Sequence, residues 1–74
     1  MRLEWKQYGR GSYKLKYYVA DGTFQWAGKV FKVAYNSTEW MGQIHRTGEY
    51  QAFGSLKEAK AWVTAVVRMG GING

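Results

Sequence analysis

The chain has 74 residues and no cysteine, and 11 lysines and arginines against 5 acidic residues give it a net charge of +6. This length supports one small domain, and the lack of cysteine excludes a disulfide framework or a thiolate metal site. Stability must therefore come from apolar burial, for which four tryptophans, six tyrosines and three phenylalanines supply the large side chains.

The N-terminal segment, MRLEWKQYGRG, lacks the apolar run of a secretory signal peptide. The longest apolar run, AWVTAVV, is far shorter than the roughly 20 residues that span a bilayer. Together with the absence of cysteine, these features predict a cytoplasmic protein with no membrane partner. A short basic reading frame that begins at methionine is typical of phage and mobile-element proteins, and a phage-encoded chain would lie in the host cytoplasm.

The segment SYKLKYYVA alternates in the manner of a strand with two different faces. One face carries Tyr13, Leu15, Tyr17 and Val19, and the other carries Lys14, Lys16 and Tyr18. The ADGT segment that follows predicts a hairpin turn, because Asp21 and Gly22 tolerate a positive φ.

Three further strands are predicted, over 24–36, 40–46 and Tyr50–Phe53, separated by NST and TGE. WAGKVFK and WMGQIHR echo one another, which predicts that each glycine shares a face with the tryptophan two residues before it. The 24–36 segment is long for one strand. It predicts either a bulge near Gly28, which would switch the facing of the side chains, or a turn at Ala27 and Gly28.

A helix is predicted over 56–69. Ser55 and Glu58 have the spacing of a capping box, and Gly70 with Gly71 supplies the stop. The residues that recur at helical spacing on one face are Leu56, Ala59, Trp62, Val63 and Val66.

These elements predict an α+β domain over 1–69, followed by a flexible tail over 70–74. Short connections imply an antiparallel β-meander of three to five strands, and the one C-terminal α-helix can cover only one face of that sheet. The uncovered face is expected to carry Lys14, Lys16 and Tyr18.

Catalysis is not expected. His45 is the one histidine, and no serine or threonine is spaced with it and an acid as a nucleophile–base pair. The glycines do not form a phosphate-binding loop of the G-x-x-x-x-G-K-[ST] type. The chain is therefore predicted not to be an enzyme and to use no cofactor or metal.

Positive charge is concentrated in the first part of the chain. Residues 1–32 hold seven lysines and arginines against two acids, whereas residues 33–74 hold four against three. Basic side chains attract polyanions, and exposed rings stack on unpaired bases. The predicted function is binding of nucleic acid, DNA in preference to RNA, by the uncovered sheet face. The predicted contacts are Arg10, Lys14, Lys16, Tyr18, Lys29, Lys32, Gln43, His45 and Arg46.

Three other interpretations fit the same residues. The lysines could be ordinary solubility charge, with the rings as core. The chain could instead be a phage-type modulator or inhibitor that binds an acidic surface on a host enzyme with tyrosine and tryptophan anchors. An exposed edge strand could also pair with a second copy, so a monomer or an edge-strand homodimer is expected.

The segment EWMGQIHRTGEYQAFGSLKEAKAWV, residues 39–63, resembles the arm-type DNA-binding domains of phage tyrosine integrases. The matching residues are Trp40, Ile44, Arg46, Gly48, Tyr50, Phe53, Ser55, Glu58, Ala59 and Trp62. In that family a three-stranded sheet enters the DNA major groove and a helix backs it. The resemblance implies a free-standing DNA-binding module in which Gln43, His45 and Gln51 face the groove.

Overall fold

The computed structural model describes residues 2–19 and 22–71. The strands are β1 (Arg2–Gln7), β2 (Ser12–Tyr18), β3 (Phe24–Lys32), β4 (Trp40–Ile44) and β5 (Tyr50–Phe53). They form one antiparallel sheet in chain order, and α1 (Leu56–Val66) follows, continued by a π-type turn (Val67–Gly71). The predicted α+β meander with one C-terminal helix is confirmed.

Two predicted strands end earlier in the structure than in the sequence interpretation. β3 ends at Lys32 instead of 36, because the chain then folds into a turn in which the Ser37 N–H donates to the Ala34 carbonyl at 3.0 Å. β4 ends at Ile44 instead of 46, because the chain turns there and the Gly48 N–H donates a hydrogen bond to the Ile44 carbonyl at 2.9 Å. In both cases local turn bonds replace the strand ladder.

The predicted β2–β3 turn agrees with the structure where it is described, whereas α1 ends at Val66 instead of 69 and the π-type turn continues it to Gly71. In the β2–β3 connection the Val19 N–H donates to the Thr23 carbonyl at 2.9 Å, and Gly22 has a φ of 91°. The other two residues of the predicted turn, Ala20 and Asp21, lie outside the described residues.

The helix begins as predicted. Ser55 Oγ accepts a hydrogen bond from the Glu58 N–H at 3.1 Å and donates one to Glu58 Oε1 at 3.0 Å. At the other end Gly70 has a φ of 108°, a left-handed conformation that suits the residue after a helix. Of the predicted tail, residues 72–74 lie outside the described residues.

The helix covers one face of the sheet, which we call the covered face. The fully buried side chains between the layers include Leu15, Val30, Ile44, Val63 and Val67. At the sheet edge, the indole Nε1 of Trp5 donates to Thr64 Oγ1 at 3.2 Å, which links β1 to α1. The opposite face, which we call the open face, has no layer of secondary structure over it among the described residues.

Two strand glycines allow the helix to lie close to the sheet. A Cβ on Gly28 would lie 2.6 Å from Val63 Cγ1 and 2.9 Å from the Gln43 carbonyl oxygen. A Cβ on Gly42 would lie 3.0 Å from Val63 Cγ2 and 3.1 Å from Trp62 Cε3. Val63 therefore occupies the space that two side chains would otherwise fill.

A β-bulge at Ala27 divides β3 into two parts with opposite facing. Leu15 pairs with Gly28 and Lys16 pairs with Trp26, so Ala27 has no partner on β2. The bulge alternative near Gly28 is confirmed. The expectation that Trp26 shares a face with Gly28 is wrong, because the extra residue turns Trp26 to the open face.

We expect Gly28→Ala to destabilise the fold by about 1–3 kcal/mol, because the new methyl group overlaps Val63 and a backbone oxygen. Chemical denaturation monitored by circular dichroism would measure the loss. Gly54→Ala is the matched control, since the nearest atom to its Cβ would be 4.0 Å away. Equal stability of the two variants would contradict close docking of the helix over Gly28.

Candidate nucleic-acid interface

The open face consists of the strand positions that alternate with the core residues. Those positions are Arg2, Glu4, Lys6, Ser12, Lys14, Lys16, Tyr18, Phe24, Trp26, Lys29, Phe31, Met41, Gln43, Tyr50 and Ala52. This surface therefore combines basic side chains with aromatic rings and contains one carboxylate.

Three lysines occupy directly opposed positions on the first three strands. Lys6 pairs with Lys14, and Lys14 pairs in turn with Lys29. We call these residues the lysine row, and it continues across the sheet through Gln43 and Tyr50. Like charges directly opposite one another destabilise a sheet. Cation–π contacts of Lys14 and Lys29 with neighbouring rings offset part of this cost.

The single carboxylate on this face is already engaged. Glu4 Oε1 accepts a hydrogen bond from the Tyr18 hydroxyl at 3.0 Å, and Glu4 Oε2 lies 3.8 Å from Arg2 Nη2. Glu4 also pairs across the sheet with Lys16. Among the described residues, the five basic side chains of the open face therefore exceed its acidic ones by four, an excess that attracts polyanions.

Aromatic rings form a continuous cluster that reaches both sides of the lysine row at Lys14. Trp26 is at its centre, with the Tyr8 ring at 5.4 Å and the Phe24 ring at 5.2 Å, both in edge-on geometry. The Tyr18 ring follows at 6.0 Å from Phe24. Tyr8 and Phe24 keep 39% and 42% of their surface exposed. We call these four residues the ring cluster.

Lysine ammonium groups lie directly over these rings. Lys16 Nζ is 4.4 Å from the Phe24 centroid, and Lys14 Nζ is 5.1 Å from Tyr8 and 5.3 Å from Trp26. Such cation–π contacts hold the charges beside the ring faces without neutralising them. A ligand on this surface would meet positive charge and flat apolar surface within a few ångströms of each other.

A cavity of about 310 Å³ opens beside Trp26. It is lined by Lys14, Trp26, Gly28, Lys29, Gln43 and His45, and we call it the Trp26 pocket. In a regular strand, residues two positions apart point to the same face. Because of the bulge, Trp26 and the next residue on the open face, Lys29, are three positions apart, and the pocket lies between them. The bulge thus leaves a gap in the open face.

The structure brings together six of the nine predicted contact residues. Lys14, Lys16, Tyr18, Lys29, Gln43 and His45 lie on the open face or line its pocket. Arg10, Lys32 and Arg46 lie elsewhere. Lys32 pairs with Trp40 on the covered face, and Arg46 lies in the turn after β4. Gln51, which the integrase resemblance placed beside Gln43, pairs with Gly42 and lies on the covered face.

Several open-face residues were not among the predicted contacts. Arg2 and Lys6 belong to β1. In this segment Leu3 and Trp5 alternate with charged residues, a pattern that predicts a strand with a charged face. Trp26 and Phe24 were missed for a different reason. The bulge that exposes them depends on pairing with β2, which local alternation does not reveal.

Comparison of the chain with protein-family models, with curated proteins and with solved structures found no significant match. The resemblance to integrase arm-type domains thus rests on the residues of 39–63 alone. Within residues 2–19 and 22–71, no helix is long and apolar enough to cross a bilayer. The same residues include no cluster of three or more side chains suited to hold a metal ion.

The hydrogen bond to Glu4 raises the pKa of the Tyr18 phenol above its ordinary value of 10.0, with desolvation as a smaller cause. A pKa raised by folding contributes stability that is present below about pH 10 and is lost as the pH rises through the folded value. We expect the absorbance titration of the protein minus that of Tyr18→Phe to have a midpoint above pH 10. In a Glu4→Ala background the midpoint should return toward 10; a wild-type midpoint at or below 10 would contradict the assignment.

Proposed function

We propose that the protein binds nucleic acid, with DNA as the first candidate, through its open face. The observation that carries this proposal is the lysine row beside the ring cluster. Opposed lysines cost the isolated fold free energy, so their retention on one face suits a ligand that neutralises them. Phosphates do so, and the adjacent rings suit bases.

Two contributions to the binding free energy are expected, one that depends on salt and one that does not. Phosphates that contact the lysine row release counterions, and each contact adds about 0.7–0.9 to the slope of log affinity against log salt. Three contacts would then lower the affinity by about 20- to 40-fold between roughly 50 and 200 mM salt. Bases stacked on Phe24 or Tyr8 would add about 1–3 kcal/mol each without depending on salt.

Replacing Lys14 and Lys16 by glutamate should lower the affinity for DNA by about tenfold or more and make the salt slope shallower by roughly two contacts. Fluorescence anisotropy with labelled DNA at several salt concentrations measures both quantities, after circular dichroism has confirmed folding.

The matched control for this charge change is Lys57→Glu with Arg68→Glu, two exposed positions on the helical side of the molecule. We expect this pair to lose far less affinity than the open-face pair. Equal losses would mean that binding follows net charge alone, and an unchanged affinity of the open-face pair would exclude this face as the site.

A second groove favours a second candidate function. Arg10 and Lys32 line it together with Tyr35 and Trp40, and no acidic residue lines it. Tyr35 is 88% exposed, so its ring is accessible to a partner. Aromatic and arginine side chains dominate the energetics of protein interfaces. The groove would suit an acidic surface on a protein partner, as expected of a phage-type modulator of a host enzyme.

The two functions can be separated with variants of each surface. Nuclease-treated host lysate would be passed over the immobilised wild-type chain, over Arg10→Glu with Lys32→Glu, and over Lys14→Glu with Lys16→Glu. The modulator function predicts a partner that the wild type and the open-face variant retain and the groove variant loses. Disappearance of every partner after nuclease treatment would contradict it.

A further inference from the structure

We infer that the nucleic acid is single-stranded and that one unpaired base occupies the Trp26 pocket. The inference rests on the proposed function of the open face and adds the form of the ligand and the place where a base is held. Three separate features of the open face support it: its width, the orientation of its rings and the chemistry of the pocket.

The open face is wider than the major groove of undeformed DNA. Five strands about 4.8 Å apart make a surface roughly 19 Å wide, whereas the major groove is about 12 Å wide. The lysine row with Gln43 and Tyr50 runs across all five strands. A groove-bound sheet would leave part of this line without contacts. A single strand laid across the face reaches every position along it.

The rings point to a ligand with exposed base faces. In a duplex the faces of the bases are stacked on one another, and only their edges are accessible in the grooves. Phe24 and Tyr8 are exposed members of the ring cluster on either side of Trp26, and each carries a lysine ammonium within about 5 Å of its centroid. An unpaired base that stacks on either ring would displace that ammonium from the ring face, and the displaced ammonium would pair with the phosphate of the same nucleotide.

The Trp26 pocket has the groups that an unpaired base requires. Its volume of about 310 Å³ is at the lower end of the range for small-molecule sites, about 300–1,000 Å³. Trp26 supplies an apolar wall, and the Gln43 amide and the His45 ring offer both donors and acceptors for a base edge. Lys14 and Lys29 flank the opening, where the phosphates on either side of the base would pass.

The polar groups of the pocket are free to bind a ligand. Within the described part of the chain, neither the Gln43 amide nor the His45 ring makes a side-chain hydrogen bond. Gln43 is half-buried between Lys29 and Tyr50, its cross-strand neighbours. A half-buried amide without a protein partner, beside a tryptophan and two lysines, is placed to bind a base edge.

The test compares fluorescent single-stranded oligonucleotides of about 12 nucleotides with a duplex of the same length. Oligo-dT and oligo-dA serve as probes, and anisotropy is measured at a fixed salt concentration of about 100 mM. We expect the single strands to bind about tenfold more tightly than the duplex. A duplex bound as tightly as the single strands would overturn the inference and leave the proposed function intact. Binding of neither would overturn both.

Variants then locate the base. Trp26→Leu and Gln43→Ala should each weaken single-strand binding by about tenfold, with little effect on residual duplex binding, because both remove contacts to an unpaired base. Gln43→Ala removes no contact on which the fold depends, so it remains informative if Trp26→Leu does not fold. Tyr35→Ala, an exposed ring away from the open face, is the control. Unchanged single-strand affinity in Gln43→Ala would overturn the placement of a base in the pocket.

Discussion

The close approach of Val63 to Gly28 and Gly42 is the contact on which the rest of the structure depends. A Cβ at either glycine would lie within 3.0 Å of a Val63 methyl group. Because both glycines lack a side chain, one helix can cover the middle of the sheet and bury Leu15, Val30 and Ile44 completely. A chain of 74 residues without disulfides has to bury much of its apolar surface in this way to be stable. It also has no second helix, among its described residues, to cover the other face.

Gly28 further connects the core with the open face. It lies next to the bulge at Ala27, so the residue that admits the helix on one side adjoins the gap that forms the Trp26 pocket on the other. β-Bulges are frequent beside functional sites, where they redirect a side chain. Here the redirected side chain is Trp26, the central member of the ring cluster.

The predictions from sequence succeeded where local chemistry decides the structure. The cap formed by Ser55 and Glu58, the alternation of β2 and the short turns predicted the helix, the meander and the outward facing of Lys14 and Lys16. They failed where the conformation depends on a distant partner. Strict alternation places Trp26 with Gly28, and only pairing with β2 reveals that Ala27 is an extra residue. The bounds of the pocket follow from that pairing, so local pattern alone could not predict them.

If the open face binds a polyanion as proposed, the lysine row should make the stability of the free protein and its affinity for that polyanion respond to salt in opposite directions. Dissolved ions screen the repulsion among Lys6, Lys14 and Lys29, which relieves strain in the unliganded sheet. The same ions compete with the protein for phosphates. The phosphates of a bound nucleic acid would neutralise the same lysines, and binding to the folded state alone would stabilise the fold by mass action. Repulsion among the three lysines is therefore largest in the unliganded protein at low salt. The proposed attraction for a polyanion is greatest under the same conditions.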